Sequence, residues 1–321
     1  MGLFSDDFGT INTDEELASM QNQFPFYDPA YICQAAVSTR IKTKEWMEKL
    51  WTEYEPYADK DFLPEFKRRF TQRSWELYLG ATLLSRGFNL KKNTTEGPNF
   101  EIQSKGGKTL TWIEAITVTK GEGIDKVPEM SYGVVQNIPI DQISLRLSSA
   151  LKEKHEKYLT YIKNGIVKPG DPYIIALDRS ECGLGDPYGP QILSVLFGIG
   201  DPALRMRVGD KPVENPEVSW THQPLLNKRN GKGVPMLFFE DPGHAGISAV
   251  IYTKDHVINS PRNPQEMGEN VTIIHNPNAK YKLADNFFPF GTEYKASEGY
   301  VNRIRDKKDY VQPDPFEYLE Q

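Results

Sequence analysis

Apolar positions recur at helical spacing in three stretches of the chain. From about Thr39 to Tyr54, Ile41, Trp46, Leu50 and Trp51 form one stripe. From Pro64 to about Arg86, Phe66, Phe70, Leu77, Ala81 and Leu84 share a face, and Gly87 supplies the stop. From about Asp141 to Lys163, Ile143, Leu147, Leu151, Tyr158 and Ile162 do the same. Between the second and third helices the pattern shortens to that of strands. Residues 97–103, a Lys105-Gly106-Gly107-Lys108 turn and residues 109–118 predict a β-hairpin. Its second strand is nearly continuous in apolar and β-branched residues, as a strand covered on both faces would be. Pro172 to Asp178 adds a short buried strand. The order helix, strand, strand, helix, strand predicts an α/β fold with a mixed sheet.

The flanks are less regular. Residues 1–60 predict a helical N-terminal extension, 61–260 a core with loop insertions, and 261–321 a C-terminal extension packed on that core. Gly and Pro crowd residues 183–235, which predict loops with a short helix near Gln191 to Gly198. Strands are expected at Met236 to Glu240, at Ile247 to Tyr252 and near Val271 to His275, making the C-terminal part β-rich, with a polar tail from about Asn302.

Composition narrows the class. The chain is 38% hydrophobic, 12% aromatic and 26% charged, the make-up of a soluble globular protein. No run approaches the ~18 apolar residues of a membrane span, and the acidic start lacks a signal-peptide pattern, so the expected location is the cytoplasm with no membrane partner. Cys33 and Cys182 are too few for a disulfide framework or an all-cysteine zinc site. A net charge of −6 argues against a surface coated in basic residues, although Lys67-Arg68-Arg69 with Arg73, Lys152/Lys154/Lys157, and Arg303 to Lys308 form local basic patches. Histidines 155, 222, 244, 256 and 275 lack metal-ligand spacing, and there is no phosphate-binding Gly-rich loop, full dinucleotide fingerprint or nucleophile elbow.

Two acids stand out against this background. Glu114 interrupts the run Trp112-Ile113-Glu114-Ala115-Ile116, where a carboxylate is costly unless paired or metal-bound. Glu76 shares a helix face with Leu79, Gly80 and Leu83 and is expected to point toward the sheet. Asn99 begins the first hairpin strand, so antiparallel pairing brings it to the same end as Glu114. In the helix from Asp141, Lys154 falls at the edge of the apolar stripe beside Leu147, Ala150, Leu151 and Tyr158 and is expected to aim inward.

The segments Phe70 to Leu79, Gly97-Pro98-Asn99-Phe100 and Trp112-Ile113-Glu114-Ala115 resemble the core of the PD-(D/E)xK, restriction-endonuclease-like nucleases over about residues 65–180. The resemblance implies that fold, a mixed sheet flanked by helices, and a Mg²⁺ (or Mn²⁺) site held by Glu76, Asn99 and Glu114. Two of the four signature positions depart: Asn99 stands where the family has aspartate, and Ile116 where it has lysine. Lys154 is the first substitute for that lysine and Lys120 the second, while Arg146, Arg73 and Gln142 are candidates for contacting phosphate or water. The implied activity is metal-dependent hydrolysis of nucleic acid, DNA before RNA, with a homodimer left open. The alternative is a catalytically inactive nuclease fold that binds nucleic acid or protein. Asn99 reads as a weakened natural site, as loss of cleavage in a binding protein, or as an inactivating substitution. If Glu76 and Glu114 point apart, the chain is instead a metal-free structural or interaction protein.

Overall fold

A computed structural model describes every residue except 1, 5–7, 93, 95, 130, 132, 184–185, 187–188, 206–216, 258–260, 298 and 307–321. Five helices come first: α1 (Asp14–Gln23), α2 (Pro29–Ala36), α3 (Ile41–Tyr54), α4 (Phe62–Arg68) and α5 (Phe70–Ser85). They lead into strands β1 (Asn89–Lys91), β2 (Phe100–Gln103) and β3 (Thr109–Thr117), then the long helix α6 (Ile140–Lys163) and β4 (Tyr173–Asp178). Helix α7 (Ile192–Phe197) precedes two small hairpins, β5 (Ile199–Arg205) with β6 (Glu217–His222) and β7 (Leu225–Asn227) with β8 (Gly233–Pro235). Strands β9 (Ala249–Thr253), β10 (Thr272–His275), β11 (Thr292–Ser297) and β12 (Tyr300–Arg305) complete the chain's regular structure. The fold is a mixed α/β structure around an 8-stranded sheet of order β1-β2-β3-β4-β9-β10-β11-β12, with a β-rich C-terminal part. Among the described residues no helix is long and apolar enough to cross a membrane.

Side-chain alternation divides the interior into two cores. Ile113, Ala115, Ile174, Ala176 and Ile251 pack under α3 and α5. Trp112, Ile116, Tyr173, Ile175, Leu177 and Val250 face α6 and α7. Strand β4 is buried along its whole length because it pairs in parallel with β3 on one side and β9 on the other and is covered on both faces. Helix α6 is the crossover that allows β3 and β4 to run parallel.

Several expectations need correction. The helix predicted from Pro64 to Arg86 is two helices. Arg69 breaks it with a non-helical backbone (φ −136°, ψ 56°), and the Phe70 N–H is taken by the Asp28 carboxylate at 2.9 Å. The α3 stripe is Thr43, Met47, Leu50, Trp51 and Tyr54, which rotates Ile41 out to 59% exposure. Met236 to Glu240 is not a strand. Phe238 and Phe239 donate their N–H groups to Val195 and Leu196, so this apolar run satisfies the end of α7 instead of pairing in the sheet. Residues 183–235 contain two hairpins as well as loops and the expected short helix. The polar tail starts inside β12, and its part from 307 onward lies outside the described residues.

Helix α3 approaches α5 at Gly80, where a Cβ would lie 2.5 Å from Tyr54 Cε2 and 3.0 Å from Phe100 Cε1. Gly80→Ala is therefore expected to destabilise the protein by about 1–3 kcal/mol through overpacking, despite the ~1 kcal/mol that alanine adds to helix propensity. Urea denaturation checks the sign, since a stabilised variant would show that α3 yields.

Candidate active site

Strand β2 stops pairing with β3 at Phe100 and Ile113, whereas β4 accompanies β3 through to Thr117. Residues 114–117 thus have a strand neighbour on one side only. Two side chains take the place of the missing strand. Asn99 Oδ1 accepts from Ala115 N at 2.8 Å, and Gln72 accepts from Thr117 N at 2.6 Å while donating to Ala115 O at 3.3 Å. The gap left beside them is a cavity of about 450 Å³, walled by α5, by β3 and by α6.

Glu114 faces α6 because its neighbours Ile113 and Ala115 face α5. It is 1% exposed. Its Oε1 accepts from Lys157 Nζ at 2.6 Å and pairs with Lys154 Nζ at 3.1 Å, and its Oε2 lies 3.4 Å from the Tyr161 hydroxyl. Burial and the Glu114 charge push the Tyr161 phenol far above its ordinary range, which keeps it a neutral donor. A carboxylate this deep is tolerable only with such partners.

Glu76 reaches the cavity from the other face of the sheet. It too is 1% exposed, with Oε2 on Arg73 Nη1 at 2.8 Å and Oε1 on the Tyr54 hydroxyl at 3.1 Å. Burial raises its carboxyl above the usual range, and Arg73 offsets only part of this because the same Nη1 also holds Asp59 at 2.8 Å. Both acids line one cavity around the open edge of β3.

The other expected residues divide. Asn99, Lys154, Arg146 and Arg73 line the cavity. Arg146 is fixed by Thr119, whose carbonyl accepts from Nε at 2.9 Å and whose hydroxyl lies 3.3 Å from Nη2. Arg73 is spent on Glu76 and Asp59. Lys120 pairs with Glu129 and Gln142 lies earlier on α6; neither lines the cavity. Four residues went unassigned to the site in the sequence: Lys157, Tyr161, Gln72 and Tyr54. Lys157 and Tyr161 carried a signal, since they stand at i+3 and i+7 from Lys154 and so share its helix face. Gln72 and Tyr54 carried none, because their roles depend on where β2 ends and on how α3 docks.

The donor chemistry bears on a divalent cation. Among the described residues no group of three or more His, Cys, Asp or Glu side chains is placed to hold a metal. Mg²⁺, however, is commonly held by one or two carboxylates with water and substrate phosphate filling the rest of its shell, and two buried carboxylates on one cavity fit that requirement. Asn99 fits less well, because its amide oxygen is engaged with Ala115 N. No family model, curated protein or solved structure matches this chain.

Two predictions follow from these contacts. Lys154→Met and Lys157→Met should each cost less than about 2 kcal/mol, since the other lysine remains on Glu114, while the double variant should cost about 3–5 kcal/mol. Strictly additive denaturation free energies would contradict this shared compensation. The second concerns Asp178, opposite Thr117 of the cavity wall and fully enclosed. Burial raises its carboxyl to about 7, against hydrogen bonds from Ser180 and Thr117 that favour ionisation. The folded chain therefore keeps a proton that the unfolded chain releases at ordinary carboxylate pH, and stability falls as pH rises through that window. Asp178→Asn, which mimics the neutral acid, should raise the melting temperature at about pH 8 and raise it less at about pH 5. An equal shift at both pH values would refute the assignment.

Proposed function

We propose that the cavity at the β3 edge is the active site of a divalent-metal-dependent phosphodiesterase acting on DNA, with a restriction-endonuclease-like core and a degenerate ligand set. The observation that carries this reading is the convergence of Glu76, Glu114 and Lys154 on one cavity from α5, β3 and α6. The order α5, β1 to β3 antiparallel, α6, then β4 parallel to β3 agrees with it.

Charge across the cavity supports the same reading. On the α5 side Glu76 and Asp59 share Arg73, with Asp59 behind the cavity lining, and exposed Arg69 is a second cation on this wall. On the α6 side Glu114 faces two cations, Lys154 and Lys157, and exposed Glu153, which also lines the cavity, approaches Lys154 at 3.3 Å. Arg146 adds a further cation. Each wall thus sets one buried carboxylate among cations, which supplies acids for a metal ion and cations for a phosphate within one cavity. Glu76 and Glu114 would hold the ion, which when bound would polarise phosphoryl oxygen and acidify water. Lys154, enclosed and fixed, donates to the phosphate or to the attacking water, and Arg146 presents its guanidinium to a non-bridging oxygen. Asn99 keeps β3 in place and supplies no charge.

A second reading has its own support: both carboxylates are already neutralised by protein cations, and position 99 is neutral, which suits a nuclease fold that binds nucleic acid without cutting it. Cleavage of plasmid and linear DNA with and without Mg²⁺ or Mn²⁺ separates the two. The wild-type chain should cut slowly, Asn99→Asp should cut about 10–100-fold faster, and Glu114→Gln should not cut. If neither the wild type nor Asn99→Asp cuts while both bind DNA, the binding reading replaces the catalytic one.

A further inference from the structure

A second, smaller cavity of about 130 Å³ adjoins the first at Asn99, which lines both. Its other walls are Lys91 at the end of β1, Lys92 and Thr94 after it, Gly97 and Pro98 before β2, Glu101 in β2, and Trp112 and Ile166. These walls are held in place. Lys91 Nζ is 2.9 Å from Glu101 Oε2, and Glu101 is itself buried and bonded by Thr109 and Gln103. The Trp112 indole is tied through Nε1 to Asp171 at 3.0 Å. Lys92 is exposed and makes no ion pair among the described residues. The glycine at 97 leaves room: a Cβ there would project to 3.3 Å from Ile166 Cγ2 and 3.9 Å from the Trp112 ring. With Lys91 neutralised by Glu101, Lys92 is the cation on one side, and it faces an apolar, aromatic wall on the other; a cation and an aromatic surface are the two elements with which proteins hold a nucleotide within a strand.

We infer that this cavity is the subsite for the nucleotide flanking the one whose phosphate enters the larger cavity. Lys92, with Lys91 anchored beside it, meets the flanking phosphate, and the Pro98, Trp112 and Ile166 wall meets the base and sugar. The inference rests on the phosphodiesterase reading of the larger cavity. It makes the substrate a strand that passes Asn99, and it places recognition on β1 and the 97–98 turn, apart from the acids.

Binding in EDTA tests it, with two probes: a fluorescein-labelled single-stranded oligodeoxynucleotide followed by anisotropy, and thymidine 5′-monophosphate followed by calorimetry. Lys92→Ala should weaken oligonucleotide binding about threefold to tenfold and reduce the salt slope by roughly 0.7. Gly97→Leu, which fills the cavity without altering its charge, should weaken it to a similar extent. Neither variant should change affinity for the mononucleotide. Wild-type binding of the oligonucleotide by both variants overturns the subsite while leaving the larger cavity's assignment intact. Failure of the unaltered chain to bind either probe, both in EDTA and with Ca²⁺ supplied in its place, overturns both. If Gly97→Leu lowers the melting temperature, the Lys92→Ala affinity and salt slope decide.

Discussion

The early end of the β2–β3 pairing is the constraint on which the rest of the site depends. A strand edge inside a protein leaves N–H and C=O groups that must find partners. Here Asn99 and Gln72 supply them, one from the strand that has just stopped pairing and one from the helix above the sheet. Had β2 continued alongside Glu114 to Thr117, a backbone would fill the space now occupied by the cavity, and Glu76 would be sealed from Glu114 by a strand. Substituting side chains for a strand satisfies the hydrogen bonds with less volume, and the volume saved is the cavity. Gln72 also ties α5 to β3, which fixes the height at which Glu76, one turn further along the helix, meets the sheet edge.

Around that opening the charges are arranged locally on each wall. Glu76 relies on Arg73 and Tyr54, and Glu114 on Lys154, Lys157 and Tyr161. Desolvating an isolated carboxylate to this degree would unfold a marginally stable chain or force protonation. Each acid instead has partners on its own helix or an adjoining one, so neither depends on the opposite wall. The two lysines on Glu114 differ in kind. Lys154 is enclosed and cannot leave, while the Lys157 side chain is 46% exposed and can exchange the carboxylate for another anion without disturbing the core.

How much of this was legible depended on range. Glu76, Glu114 and Lys154 were readable because each is a charged residue at an apolar position of its own element's period, a local contradiction that burial must resolve. The hairpin, α6 and β4 were readable for the same local reason. The break at Arg69 was hidden because the group that makes it tolerable, Asp28, lies 42 residues before the Phe70 N–H it accepts. Of the hairpins between α7 and β9, β7 and β8 have strands of 3 residues each, too short to establish a period of two, while β5 has Gly200, Asp201 and Pro202 directly after its first residue, which read as turn residues. Met236 to Glu240 carried the apolar pattern of a strand, yet α7 ends beside it with carbonyls to satisfy. Lys120 looked well placed from its position just past β3, but the loop that follows folds back and brings Glu129 to it.

Asn99 shows how fold and chemistry separate at a single position. The bond from Ala115 N requires an oxygen acceptor, which an asparagine amide and an aspartate carboxylate provide equally well, so the open edge of β3 and the cavity beside it form with either residue. The second atom differs. In aspartate it is another oxygen bearing charge, and it would add a third negative group near Glu76 and Glu114; in asparagine it is an NH₂, a donor that a cation does not seek. The cost of a third negative charge at this half-buried position would fall on the folded state unless a cation were bound, since Arg73 is already shared by two acids and Lys154 and Lys157 are engaged with one. An asparagine at this position therefore keeps the open edge of β3 and the cavity beside it while sparing the folded chain another negative charge there.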